Sequence, residues 1–190
     1  MNRLFRNSHE FATSVPLILQ GAGLSMEDAL AFFQRQFSNM TGEQFTKEYA
    51  YNIRHMYGRE GKRATYTPYS CSRILNGNAP SGGEHHGCPY KHYDTQHLGQ
   101  LLQKLNVGTQ SDRSEILNLQ KTHQYQLACQ KHFQVMHPDA ASRPEVPLDN
   151  VGNHPNAWFR ASVAYNKDPN SSSSGNNKEV KSEAVVTPEK

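Results

Sequence analysis

No run of 18 apolar residues occurs in the 190-residue chain, so the sequence offers no membrane-spanning helix. Nor do the first residues, with Arg3, Arg6, Ser8 and His9, read as a secretory signal, because the apolar run at 15–19 is too short. The expectation is an intracellular protein. Cysteine is scarce and odd in number: Cys71, Cys88 and Cys129. Such a set suits a disulfide framework poorly and suits thiols acting as ligands or core residues better. The chain has no Cys-x-x-Cys pair, the usual signature of a structural zinc site. It also lacks paired carboxylates for two-metal nucleotidyl transfer, since Asp112 and Asp139 stand isolated, and its ten histidines suggest no Ser/His/Asp set. The chain is therefore not expected to be an enzyme on its own. There is no internal repeat and no long alternating pattern of the kind strands require.

Apolar residues amount to 35%, low for a compact domain. Part of the deficit lies in segment 166–190, where Val180, Ala184, Val185 and Val186 are the clear hydrophobic positions and Ser171 to Ser174 runs into Gly175, Asn176 and Asn177. A stretch so poor in apolar surface cannot offset its ordering entropy and is expected to be a disordered tail. What remains is enough for one domain with a real core.

Helical signals dominate that remainder. Ser25 and Asp28 form a capping-box-like pair ahead of Met26, Leu30, Phe33 and Phe37 at helical spacing. Thr41 and Gln44 repeat the device before Phe45, Tyr49, Ile53 and Met56. Asp94 precedes Leu98, Leu101, Leu102 and Leu105, and Ser111 or Ser114 opens a stretch through Ile116 and Leu119. A fifth stretch carries Tyr125, Ala128, Cys129, His132 and Met136. Between the second and third helices lies segment 58–92, rich in Gly, Pro, Tyr and His and without periodicity. Long irregular segments inside compact domains are functional or held by something other than a core. The predicted fold is mostly α, a compact helical domain with a long irregular insert.

Net charge is a mild +3. Its placement is more informative, because Lys47, Arg54, Arg59, Lys62 and Arg63 face only Glu48 and Glu60 within 47–63, which carries the whole excess. Basic charge interleaved with aromatics suits a polyanion: cations neutralise phosphates, and rings stack on bases without demanding a sequence. Tyr51, Asn52, Arg54 and His55 occupy successive helical positions, and Tyr51 and His55 share a face offset from the Phe45–Tyr49–Ile53 stripe. By spacing alone Tyr49 reads as core. Arg59, Lys62 and Arg63 follow in a Gly-flanked loop from which side chains can reach phosphate.

The cysteines leave several readings open by spacing. Each could be a buried reduced thiol, the favoured reading for Cys129 beside Tyr125 and Phe133. Cys88, in Gly87-Cys88-Pro89 beside His85, His86 and His92, has less core on offer. Zinc would need Cys71, Cys88 and a nearby histidine, whereas an iron–sulfur cluster takes thiolates from widely separated parts of a chain.

Several segments carry a resemblance. They are Gly21-Ala22-Gly23-Leu24-Ser25 with Glu27-Asp28-Ala29-Leu30, Lys47 to His55, Gly58 to Arg63, and Tyr66-Thr67-Pro68-Tyr69-Ser70-Cys71. Further along come His86-Gly87-Cys88-Pro89-Tyr90-Lys91-His92, Tyr125 to Lys131, and His154-Pro155-Asn156. Together, from about Leu19 to Phe159, they resemble the C-terminal iron–sulfur domain of the eukaryotic-type DNA primase large subunit, the regulatory subunit of the DNA polymerase alpha–primase complex. The organisation implied is a divergent segment 1–18, this domain over 19–165, and the tail 166–190.

The resemblance implies a [4Fe–4S] cluster, with Cys71, Cys88 and Cys129 matching the family's last three cluster ligands. The family's first ligand lies upstream of a His- and Arg-rich stretch that segment 7–20 does not reproduce, so the fourth ligand is expected to be absent from this chain or supplied otherwise. The resemblance further implies a non-catalytic, nuclear replication domain that binds primer RNA and template DNA. Its implied partners are the small catalytic primase subunit and DNA polymerase alpha, with no membrane. On that ground Tyr49 joins Tyr51, Asn52, Arg54, His55, Arg59, Lys62 and Arg63 as a nucleic-acid-binding candidate, matching a functional tyrosine pair. A reading of a different class stays open, a zinc-supported or cluster-less protein-interaction module derived from the same domain.

Overall fold

The computed structural model describes residues 9–37, 40–64, 66–77 and 87–167, with backbone alone for 9–14. Arg3, Arg6, His85, His86 and tail residues 168–190 lie outside the described residues. Within them the chain is helices and irregular segments with no strand, which is the predicted mostly α class.

Helix α1 (His9–Gly21) opens the described chain and is not signalled by the sequence pattern; Pro16 falls inside it, where a missing N–H costs a backbone bond. Helix α2 (Met26–Gln36) starts where predicted. The Ser25 side chain accepts the Asp28 amide at 3.1 Å and donates to its carboxylate at 2.8 Å. Thr41 and Gln44 complete a reciprocal capping box for α3 (Gly42–Phe45). The chain then runs through a π-helical turn, Thr46–Ala50, straight into α4 (Tyr51–Met56). A π turn adds one residue to the helical repeat and so rotates everything after it. Phe45, Ala50, Ile53 and Met56 all point inward, while Tyr51 and Asn52 face solvent.

The irregular insert holds two short helices, α5 (Cys71–Leu75) and α6 (Pro89–His92). Helices α7 (Thr95–Lys104), α8 (Gln110–Lys121) and α9 (Tyr125–Met136) then pack in sequence, and α10 (Pro155–Asn166) closes the described chain. The cap of α8 is Thr109, not Ser111 or Ser114. Asp112 decides this, because its carboxylate accepts both the Thr109 amide at 2.9 Å and its hydroxyl at 2.7 Å.

Three hydrophobic clusters form the core among the described residues. Ala29, Phe33, Phe37, Phe45, Ala50 and Ile53 join α2 to the 42–56 helix. Tyr90, Leu98, Leu102, Val107, Ile116 and Ala128 join α6 through α9, with Cys88 and Cys129 packed at the edge. Phe133, Ala140, Val146, Val151 and Ala161 seat α10 on α9, with Trp158 and Tyr165 against them. Segments 66–71 and 150–157 cross between these clusters and are held by polar contacts. The Cys71 amide donates to the Asn153 carbonyl at 2.9 Å, His154 Nε2 lies 3.3 Å from the Pro68 carbonyl, and the Asn156 side-chain amide donates to the Ile18 carbonyl at 2.8 Å. Gly21 sits in this junction because a Cβ there would stand 2.6 Å from Pro68 Cγ and 2.9 Å from Asn156 Nδ2.

Ile116 has no exposed surface, whereas Leu105, on the predicted apolar face of α7, is 52% exposed. Ile116→Ala is expected to cost roughly 2–5 kcal/mol by denaturant unfolding, and Leu105→Ala to stay within about 0.5 kcal/mol.

Candidate functional site

The three cysteines arrive from three separate segments. Cys71 is the first residue of α5, whose start is set by Ser70 accepting the Arg73 amide at 3.2 Å. Cys88 caps α6, with Pro89 next to it at the position where a missing N–H is harmless. Cys129 sits in the second turn of α9. All three line one cavity of about 310 Å³, walled by apolar and aromatic groups including Ile74, Tyr90 and Trp158. The sequence alone leaves each thiol a candidate for the core; Cys88 and Cys129 do touch it, but at its rim, facing the cavity.

The thiols sense one another across this space. Burial, then the neighbouring Cys88, pushes the Cys71 thiol up to about 11. Burial, then Cys71 and Cys88, pushes Cys129 up to about 12. Burial raises Cys88 too, opposed by the backbone amides of Lys91 and Tyr90 and by the charge of Lys91. Three acceptors in an apolar cavity that resist becoming anions together are the donor set that a polycationic group satisfies. Among the described residues no three His, Cys, Asp or Glu side chains are grouped tightly enough for one metal ion. The sulfurs line the walls of a cavity, an arrangement that suits a multinuclear group in which each thiolate takes its own metal atom. Cys71, Cys88 and Cys129 are the residues that could hold it.

Tyr90 and His132 stand behind the sulfurs. The Tyr90 hydroxyl is 2.7 Å from His132 Nδ1, and burial, then the neighbouring Cys129, raises its pKa. Spacing places His132 on the α9 face but does not mark this pair, whose members are 42 residues apart.

The second group of candidates lies on α4 and the loop after it. Tyr51 is 48% exposed, and its ring centroid is 6.1 Å from that of His55. The His55 ring is in turn 5.0 Å from that of Tyr66, with the Tyr66 hydroxyl 3.4 Å from His55 Nε2. These three rings make a semi-exposed aromatic row. Gly61 lets the loop close on it, since φ there is +58° and a Cβ would lie 3.1 Å from the His55 ring. Asn52, Arg59, Lys62 and Arg63 are exposed around the row, and Arg63 itself adopts a left-handed φ of 51°.

Two candidates stand elsewhere. Arg54 is half-buried in a 2.7 Å ion pair with Glu60, and its carbonyl accepts the Arg59 amide, so it closes the loop. Tyr49 packs into the α2–α4 core, with its ring centroid 4.5 Å from that of Phe37. Tyr66 is a site residue that the sequence reading does not pick out. Its place in an aromatic–Pro segment directly after the basic loop is the available signal.

A family model described as the C-terminal domain of the eukaryotic and archaeal DNA primase large subunit matches residues 3–159. The chain is 43% identical over 148 residues to the DNA primase large subunit of Homo sapiens, covering 75% of this chain and 27% of that protein. It is 41% identical over 147 residues to the probable DNA primase large subunit of Arabidopsis thaliana (77% and 30%). Against the DNA primase large subunit of Saccharomyces cerevisiae the identity is 37% over 154 residues (80% and 29%). The chain spans less than a third of the length of each of these relatives.

In the metal-free folded chain, Cys71 at about 11 leaves roughly 100-fold fewer thiolates at pH 8 than a cysteine at its ordinary value of 9.0. Alkylation followed by mass spectrometry is expected to be correspondingly slow at Cys71 and slower at Cys129, with normal rates restored in denaturant.

Proposed function

Because the chain belongs to the family defined by the C-terminal domain of the eukaryotic and archaeal DNA primase large subunit, we propose that it serves a primase as a non-catalytic domain that holds primer RNA and template DNA. The observation that carries this reading is the aromatic row Tyr51–His55–Tyr66 with Asn52, Arg59, Lys62 and Arg63 exposed around it. Rings stack on bases of any identity, and the cations contact phosphates, which is what a domain acting at every start site needs. Arg54 acts indirectly, by fixing the loop through Glu60. Tyr49 supports α4 from the core side.

The cavity fits the second half of the proposal, a [4Fe–4S] cluster bound by Cys71, Cys88 and Cys129, with the remaining iron taking a ligand other than these three. When bound, the cluster supplies metal–thiolate bonds that tie α5, α6 and α9 together, so that its binding energy is folding energy. The chain's own residues wall off water and present the sulfurs. Asp112 is committed to the Thr109 cap and to Lys131, so it is not poised for nucleotidyl transfer. The catalytic primase subunit and DNA polymerase alpha are the proposed partners, and the nucleus the proposed place of action.

Anaerobically purified protein is expected to contain iron and sulfide in cluster proportion and to bind a primer–template with affinity that falls as salt rises. Tyr51→Ala should weaken binding by roughly 1–3 kcal/mol. Replacing Lys62 and Arg63 with alanine should flatten the log–log salt slope by about 0.7–0.9 per residue. Binding indifferent to salt and to Tyr51, or zinc in place of iron, would overturn the respective half of the proposal.

A further inference from the structure

A second cavity, of about 620 Å³, lies between segment 67–72, segment 150–154 and the first turns of α10. Its wall is made of hydroxyls and carboxamides, among them Thr67, Ser72, Asn153 and Asn156, with Arg160 as the one permanent charge. No aspartate or glutamate lines it among the described residues. The wall is braced from within. Gln126 Nε2 donates to Asn153 Oδ1 at 2.8 Å, the Asn153 carbonyl accepts the Cys71 amide, and His154 Nε2 lies 3.3 Å from the Pro68 carbonyl. Polar groups held in place in this way lose little freedom when a ligand arrives.

Two residues of α10 set what such a ligand must be. Asn156 is only 1% exposed, and its Nδ2 donates to the Ile18 carbonyl at 2.8 Å. That bond fixes which end of the carboxamide is oxygen, because the reverse would set two acceptors against each other. Asn156 Oδ1 is buried and has no hydrogen-bond partner among the described residues. Buried acceptors are ordinarily paired, so this one calls for a donor. Arg160 stands four residues further along, on the same helix face and roughly 6 Å along the axis. It is exposed and takes part in no ion pair among the described residues. The cavity thus offers an acceptor at one point and a cation about one helical turn away. A nucleotide supplies the matching pair, a phosphate and an N–H or O–H of its base or sugar. The volume lies within the roughly 300–1,000 Å³ of small-molecule sites. Continuity favours the same ligand, since Thr67 and Pro68 of the wall directly follow Tyr66, the last ring of the aromatic row.

We propose that this cavity is a subsite for one nucleotide, whose phosphate is held by Arg160 and whose base or sugar donates a hydrogen bond to Asn156 Oδ1. This rests on the nucleic-acid half of the reading above and extends it past Tyr66, onto residues of α10 that the basic loop does not include.

The test is fluorescence anisotropy with a primer–template whose unpaired overhang is lengthened one nucleotide at a time, beside calorimetric titration with AMP. Wild-type protein should gain affinity at one added nucleotide beyond the length at which Tyr51→Ala begins to weaken binding. Arg160→Ala should remove that gain and flatten the log–log salt slope by about 0.7. Thr67→Glu, which sets a carboxylate at an exposed position of the wall, should remove the gain too. The gain without AMP binding would assign the subsite to a strand. AMP binding that Arg160→Ala abolishes, with no gain along the overhang, would assign it to a free nucleotide. Inorganic phosphate bound as tightly as AMP would overturn the nucleotide assignment, because Asn156 then contributes nothing. Arg160→Ala and Thr67→Glu proteins that match wild type in both assays, while Tyr51→Ala still weakens binding, would overturn the inference and leave the proposed function standing. Wild-type protein that ignores AMP and binds the primer–template indifferently to salt and to Tyr51 would overturn both.

Discussion

The convergence of three thiols on one apolar cavity is the constraint around which the rest of the described chain is arranged. Cys88 and Cys129 lie at the rim of one hydrophobic cluster and Cys71 comes from a separate segment, and the cavity they line is about 310 Å³ of space that close-packed side chains would ordinarily fill. The wall is kept open by backbone arrangements on every side. The Cys71 amide is tied to the Asn153 carbonyl, α6 begins at Cys88, and Asn156 bridges to the end of α1. Burial, then the neighbouring thiols, raises the pKa of Cys71 and of Cys129, and burial raises that of Cys88. Thiolates so placed would be stabilised by a shared cationic group.

A second economy lies in the 42–56 helix. One face holds Phe45, Ala50, Ile53 and Met56 in the core, and the extra residue of the π turn lets Tyr51 and Asn52 face outward immediately after Ala50. The loop that follows is stiff. Gly58 and Gly61 take left-handed φ values, Arg63 takes one at some conformational cost, and the Arg54–Glu60 pair closes the base. Exposed cations on a braced loop lose less conformational freedom on meeting a polyanion than cations on a loose one. Arg54, through its ion pair with Glu60, stabilises the loop that carries Arg59, Lys62 and Arg63.

How much of this the sequence discloses follows the range of each interaction. Caps are local, so Ser25 and Thr41 can be read directly, and Thr109 escapes only because Ser111 and Ser114 offer the same chemistry two and five residues later. Apolar spacing locates α2, α7 and α9. Helix α1 is hidden by Pro16, which reads as a breaker but is buried within it. Helix α10 is hidden by the prolines before it, one of which is its first residue. Tyr49 is readable both ways, and its half-buried place against Phe37 follows the spacing. The common cavity of the cysteines and the Tyr90–His132 contact join residues tens of positions apart, and no local pattern encodes such pairings. Family resemblance can suggest the first of these; only the three-dimensional arrangement brings out the second.

The cavity and the aromatic row are also joined by a very short route. Tyr66 ends the row and Cys71 begins the cavity, with Thr67, Pro68, Tyr69 and Ser70 between them. This strap is gripped along its length. His154 contacts the Pro68 carbonyl, Arg73 lies over the Tyr69 ring at 4.0 Å, Ser70 caps α5, and Cys71 bonds to Asn153. A strap held at these points limits how far its two ends can shift independently. Whatever fixes Cys71 therefore also limits where Tyr66 can stand relative to His55. In physical terms one sulfur of the cavity wall and one ring of the exposed row stand at the two ends of one short, braced segment.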